Sequence, residues 1–168
     1  MRRITAVLPS LGLAAVLILP LAAAAQSYAD LDGGWLVSSW TSPDGETNDE
    51  PQRGLYLFTT TGQYAIMFVN TDEPRPDLPE EATDAQMMEA WDSFTANAGR
   101  YRIQGNQLTY EAWVAKSPNY MNAWDSDTAA NGVTVTMSMD DEGMLTLEWS
   151  NGRKVELRRA PGSPGTGG

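Results

Sequence analysis

From Trp35 onward, hydrophobic and polar positions alternate in short runs separated by turn-forming residues. The first run is Trp35 to Trp40. It is closed by Ser42-Pro43-Asp44-Gly45, where proline fixes its own φ and glycine accepts a positive one. Arg53 to Thr60 and Gln63 to Val69 follow, joined by Thr61-Gly62 as a compact hairpin. These strands carry Leu55, Tyr56, Leu57 and Phe58, then Tyr64, Ile66, Met67 and Phe68, so both faces of the hairpin are apolar and the pattern predicts cover on both. Strands resume over Gly99 to Gln104, Gln107 to Ala115, Gly132 to Met139, Met144 to Ser150 and Arg153 to Arg159. Gly105-Asn106, Asp141-Glu142-Gly143 and Asn151-Gly152 are the turns between them.

One segment changes period. Asp77-Leu78-Pro79-Glu80 has the form of a capping box with proline in the first turn. Met87, Trp91, Phe94 and Ala98 then recur at helical spacing until Gly99. The pattern therefore predicts an all-β domain of eight antiparallel strands, with one helix inserted after the third. Eight strands linked by successive hairpins can close into an up-and-down barrel, which removes exposed edges. A barrel of that size either fills itself with side chains or holds one small ligand.

Placing Trp35 inside and following the alternation gives an expected interior. It comprises Trp35, Val37, Ser39, Tyr64, Ile66, Phe68, Tyr101, Ile103, Leu108, Tyr110, Ala112, Val133, Val135, Met137, Met139, Leu145, Leu147 and Trp149. The same alternation turns Leu36, Ser38 and Trp40 outward, along with Glu111, Glu148 and Glu156, the latter three as solvated carboxylates. The interior is apolar and aromatic with tyrosine hydroxyls as its polar handles, which suits a small hydrophobic ligand. The expected ligand-binding set is Tyr64, Phe68, Met87, Trp91, Phe94, Tyr101, Tyr110, Met137 and Trp149, with the helix stripe as a candidate lid.

The N-terminal sequence modifies this picture. Arg2 and Arg3 precede an apolar run from Ala6 to Leu19 and then Pro20-Leu21-Ala22-Ala23-Ala24-Ala25, the layout of a secretory signal cleaved after Ala25. The expected domain spans 26–159 and the expected location is periplasmic or secreted, with no membrane insertion after cleavage. The glycine- and proline-rich stretch 160–168 is expected to be a flexible tail. There is no cysteine, so stability must come from the core without disulfides. There is no histidine either, which excludes Ser-His-Asp and Cys-His catalysis and the usual zinc sites. The formal charge of −11 argues against nucleic acid as a partner.

Asp125-x-Asp127 with Asn131-Gly132 shares elements of a calcium loop, but its spacing departs from the usual pattern and no glutamate closes it. No metal or cofactor is expected, and the residues leave the oligomeric state open. Tyr110 and Glu111 are neighbours on opposite faces of one strand, so they do not form a simple acid/base couple. An exported protein binding a small hydrophobic molecule is the leading expectation. The alternatives are a non-catalytic accessory domain acting through its surface with a filled barrel, and a small barrel isomerase or cyclase.

Gly33-Gly34-Trp35 at the head of the first strand and Arg153-Lys154-Val155-Glu156-Leu157-Arg158-Arg159 at the end of the last resemble the calycin group, the lipocalins and their relatives. The resemblance implies that Trp35 plugs the closed end of the barrel, with Gly33 leading into it and Arg159, or alternatively Arg158, packed over the indole. More closely, "GGWLVSSW", "RGLYLFTTTGQYAIMFV", "NAGRYRIQGNQLTYEAWVAKSPN" and "GRKVELRR", taken in order, resemble the bacterial lipocalin-like domain family over Leu31 to Arg159. Some relatives carry a histidine in the strand equivalent to Gln107–Ala115. This chain has none, so the resemblance implies a fold and no histidine-dependent activity.

Overall fold

The computed structural model describes residues 26–75, 77–121 and 132–163. The expected signal segment, the Asp125–Asn131 part of the weak calcium motif and the last five residues of the tail lie outside the described residues. Among those described, no helix is long and apolar enough to cross a membrane. A short helix α1 (Tyr28–Leu31) leads into strand β1 (Gly33–Thr41). The other strands are β2 (Thr47–Asn48), β3 (Gly54–Phe58), β4 (Gln63–Val69), β5 (Phe94–Gln104), β6 (Gln107–Ala115), β7 (Val133–Met139), β8 (Leu145–Glu148) and β9 (Lys154–Arg159). Helix α2 (Asp84–Asp92) lies between β4 and β5.

Every long strand pairs antiparallel with its neighbour, and β1 pairs with both β3 and β9. Eight strands thus close into a barrel, while β2 adds a two-residue flap to the end of β1. At one end lie the tight hairpins around Gly62, Gly105 and Gly143, all with positive φ, together with α1. At the other end lie the longer connections and the tight turn at Gly152. The core is filled near the hairpin end, where Leu31, Trp35, Leu108, Leu145, Leu147 and Leu157 are fully buried. Each such leucine withdrawn from water contributes about 1.5–3 kcal/mol.

The helix differs from the sequence expectation at both ends. Its capping box is Thr83 with Gln86: Thr83 Oγ1 accepts from the Gln86 amide at 3.3 Å, and the Thr83 amide donates to Gln86 Oε1 at 2.9 Å. It stops at Ser93 because the next residues are claimed by β4, whose pairing begins at Val69 with Phe94 and includes Ala65 with Ala98. Phe94 and Ala98 are therefore strand residues. Arg75 fastens the helix end, donating to the Ala90 carbonyl (2.9 Å) and Ser93 Oγ (3.1 Å) while lying over the Phe94 ring.

Two bulges reset the strand faces. In β1 the pairing with β9 shifts between Val37 and Ser39. Ser39 consequently points outward and donates to Glu156 (2.9 Å), whereas Trp40, expected outside, turns toward the interior opposite Val155. The second bulge lies in β6, where the register steps from Ala98–Val114 to Gly99–Ala112 and so passes over Trp113. A Cβ on Gly99 would sit 2.0 Å from the Glu111 carbonyl oxygen, so only glycine allows this approach. The outer face of the β3–β4 hairpin is also less covered than expected: Leu57 and Met67 are exposed. Ala160–Ser163, placed by sequence in the flexible tail, instead packs on β1. The Ala160 amide donates to the Gly34 carbonyl (2.8 Å), and the Gly34 amide donates to Ser163 Oγ (2.9 Å).

Candidate ligand-binding site

The closed end explains the glycine pair. Gly33 has φ 108°, which other residues rarely adopt, and Gly34 leaves room for Ala160 and Ser163. Trp35 is fully buried, and its indole Nε1 donates to the Leu31 carbonyl at 2.8 Å. Arg159, rather than Arg158, covers the indole at 4.3 Å and donates to the carbonyls of Asp32 (2.8 Å) and Asp30. Tyr28 of α1 packs on Tyr101 with ring centroids 5.0 Å apart, completing the plug.

The opposite end is open. A cavity of about 470 Å³ enters the barrel there, lined by Tyr56, Tyr64, Ile66, Phe68, Asn97, Tyr110, Ala112, Val133, Trp149 and Arg153 among others. A second hollow of about 340 Å³ adjoins it, bounded by Val37, Trp40, Pro51, Val69 and Val155, and shares Tyr56, Phe68, Asn151 and Arg153 with the first. The β1 bulge supplies Trp40 to this wall. The tight turn between β8 and β9 supplies Trp149 and Arg153, since the Trp149 amide donates to the Arg153 carbonyl at 2.8 Å.

The cavity floor is aromatic. Tyr64 and Tyr110 lie 4.9 Å apart and Phe58 stacks on Tyr110 at 6.3 Å. The Tyr110 hydroxyl is buried with no hydrogen-bond partner among the described residues. Burial raises its pKa well above 10, with the neighbouring tyrosines adding to the effect. Burial likewise pushes Tyr56 up to about 12, against the pull of the Arg153 charge, and raises Tyr64, where the Glu111 charge contributes. All three are neutral hydroxyls at physiological pH.

Four of the nine sequence-predicted ligand residues line this cavity: Tyr64, Phe68, Tyr110 and Trp149. Tyr101 lies toward the closed end, its hydroxyl donating to the Thr59 carbonyl at 2.8 Å, and Met137 is buried in the packed core. Met87 and Trp91 are exposed on α2, because the helix presents only Ala90 to the barrel; Phe94 is a β5 residue under Arg75. Trp40, Tyr56, Asn97, Lys116 and Arg153 line the opening without having been singled out by sequence. Arg153 could have been found from the Asn151-Gly152 turn, which fixes where the next side chain stands.

Glu111 does face away from the cavity, but it is not solvated: its side chain is 1% exposed and is paired with Arg100 and Arg102. Glu156 remains outside, held by Lys154 (3.0 Å) and Ser39, which lower its pKa. Among the described residues no group of three or more acidic side chains converges as a metal site would require.

No protein-family model and no curated protein matches the sequence. Among solved structures, the chain is similar to a lipocalin-like protein from Bacteroides uniformis at 18% identity and TM-score 0.47, covering 78% of this chain and 99% of that one. A protein from Bacteroides eggerthii matches at 12% identity and TM-score 0.46, over 77% and 99% of the two chains. A protein from Burkholderia xenovorans matches at 15% identity and TM-score 0.40, over 91% and 96%. The closure of β1 on β9, the up-and-down order of the strands and the Trp35–Arg159 plug at one end make this a lipocalin-like fold of the calycin type.

Proposed function

We propose that the protein is an exported binder of a small hydrophobic molecule, held in the cavity at the open end of the barrel. The observation that carries this reading is the buried hydroxyl of Tyr110, without a hydrogen-bond partner among the described residues, in a cavity whose wall also holds Tyr56, Ile66, Phe68, Val133 and Trp149. Leaving such a group unsatisfied costs about 1–3 kcal/mol, a cost that a filled barrel could avoid with phenylalanine. A cavity of this volume that combines an apolar and aromatic wall with polar groups such as Asn97, Lys116 and Arg153 matches the usual form of small-molecule sites. The exported location rests on the N-terminal sequence.

A surface role has one observation in its favour, the exposed apolar side chains of Met87, Met88 and Trp91 on α2. Native mass spectrometry of the protein purified from its own host, followed by organic extraction, separates the two readings. A retained stoichiometric apolar compound supports the cavity reading. An unliganded mass, together with no binding of N-phenyl-1-naphthylamine, favours the surface.

A further inference from the structure

Acidic residues outnumber basic ones two to one in this chain, yet the described residues lining the opening include two cations, Lys116 and Arg153, and no carboxylate. The two cations are not equivalent. Lys116 Nζ is already bonded to the Trp91 carbonyl and lies over the Trp91 ring at 5.2 Å. Among the described residues the Arg153 guanidinium has no hydrogen-bond partner and no carboxylate within 4 Å. The observed ion pairs use Arg100, Arg102 and Lys154 instead. Arg53 and Arg158 also form no ion pair among the described residues, but both are exposed to water, whereas Arg153 is half-buried at the cavity.

Arg153 is also held in place. Its guanidinium carbon lies 5.1 Å from the Trp149 ring centroid and 5.8 Å from that of Phe68, which fixes a cation between two aromatic rings at the rim. A guanidinium that rests on aromatic faces keeps its in-plane N–H edge for hydrogen bonding, and that edge matches a carboxylate in a bidentate fork.

We infer that the cavity takes an amphipathic monoanion, its apolar body inside the barrel and its carboxylate at the rim on Arg153. This rests on the reading of the cavity as a binding site. The charge belongs at the rim because burying a carboxylate among Tyr56, Tyr64 and Tyr110 would leave it without a cation, whereas the rim offers one with water close by. A monoanion is specified because, of the two cations at the opening, Lys116 is already engaged by the Trp91 carbonyl and ring, which leaves the Arg153 guanidinium as the one without a hydrogen bond among the described residues.

The test is calorimetric titration of the full-length mature protein with decanoate and, separately, with 1-decanol, which shares the chain and lacks the charge. The same pair is then titrated into Arg153→Met, which keeps an apolar side chain beside the two rings. The inference predicts that decanoate binds the native protein more tightly than decanol. It further predicts that Arg153→Met weakens decanoate about tenfold or more and leaves decanol within about threefold. Equal affinity of the native protein for both compounds would overturn the inference while leaving the cavity reading intact, and that comparison stands even if the variant does not fold. Equal weakening of both compounds in a folded Arg153→Met would make Arg153 a packing residue and overturn the inference too. Binding of neither compound would remove the cavity reading and the inference together.

Discussion

The guanidinium of Arg159 covers the buried indole of Trp35 at 4.3 Å and donates to the carbonyls of Asp30 and Asp32, while Trp35 itself donates to Leu31. One arginine thus ties the first strand, the last strand and the N-terminal helix together at the end of the barrel away from the cavity. Replacing it with alanine removes a cation–π contact and charged hydrogen bonds to backbone. The expected loss is about 2–3 kcal/mol in urea unfolding, of which Arg159→Lys should restore only part. Trp35→Ala should cost about 3–5 kcal/mol, and the two losses should not add in the double variant.

Glu111 provides a second test, on the outer face of the barrel. Its buried carboxylate holds Arg100 and Arg102 across the β5–β6 pair. Glu111→Gln should destabilise the protein by about 2–3 kcal/mol, below the full value for a buried pair because the arginines can rehydrate. Arg102 is half exposed, so Arg102→Gln should cost about 1 kcal/mol or less. Equal effects of the two substitutions in denaturant titrations would contradict this assignment.

The Glu111 contact was within reach of the sequence. Once Gly105-Asn106 is read as the hairpin turn, Arg100 stands opposite Glu111 and Arg102 two residues along the same face. The barrel, its turns and most of its interior were legible because period-two alternation and glycine turns are local signals. The faces of Ser39 and Trp40 were not, since a single extra residue in β1 inverts the alternation and leaves no mark in composition. The helix stripe misled for another reason. Met87 and Trp91 do lie on a helix, but the pairing of β4 takes Phe94 and Ala98 into the sheet, and no local propensity announces that long-range competition. The cavity inherits both effects: it gains Trp40 and loses Met87, Trp91 and Phe94.

Tyrosine ionisation gives a pH prediction. Tyr56 is shifted up to about 12, and Tyr64, Tyr101 and Tyr110 are raised as well, mainly by burial. The unfolded chain ionises these groups near pH 10, before the folded protein does. Their contribution to stability is therefore complete below about pH 10 and is lost as pH rises toward the folded values. Ultraviolet titration of the native protein should show these four phenols unionised at pH 11, with a further absorbance rise on addition of denaturant. Full tyrosinate absorbance at pH 11 in a protein still folded by circular dichroism would contradict the burial assigned to them.

Tyr110→Phe separates stability from binding. Removing a buried hydroxyl that has no partner should leave the melting temperature unchanged or raise stability by up to about 1 kcal/mol. A loss above about 1 kcal/mol would mean that the hydroxyl is satisfied within the protein, and the cavity would lose one of its internal polar handles.

The central claim is that a ligand enters the barrel at the end opposite Trp35. It is tested most directly by two-dimensional NMR of the mature protein titrated with N-phenyl-1-naphthylamine. The account predicts saturable shift changes at Tyr56, Tyr64, Tyr110, Ala112 and the Trp149 indole, with Trp35 at the closed end unmoved. Changes confined to Met87, Met88 and Trp91 on the outer helix, or no saturable changes at all, would contradict it.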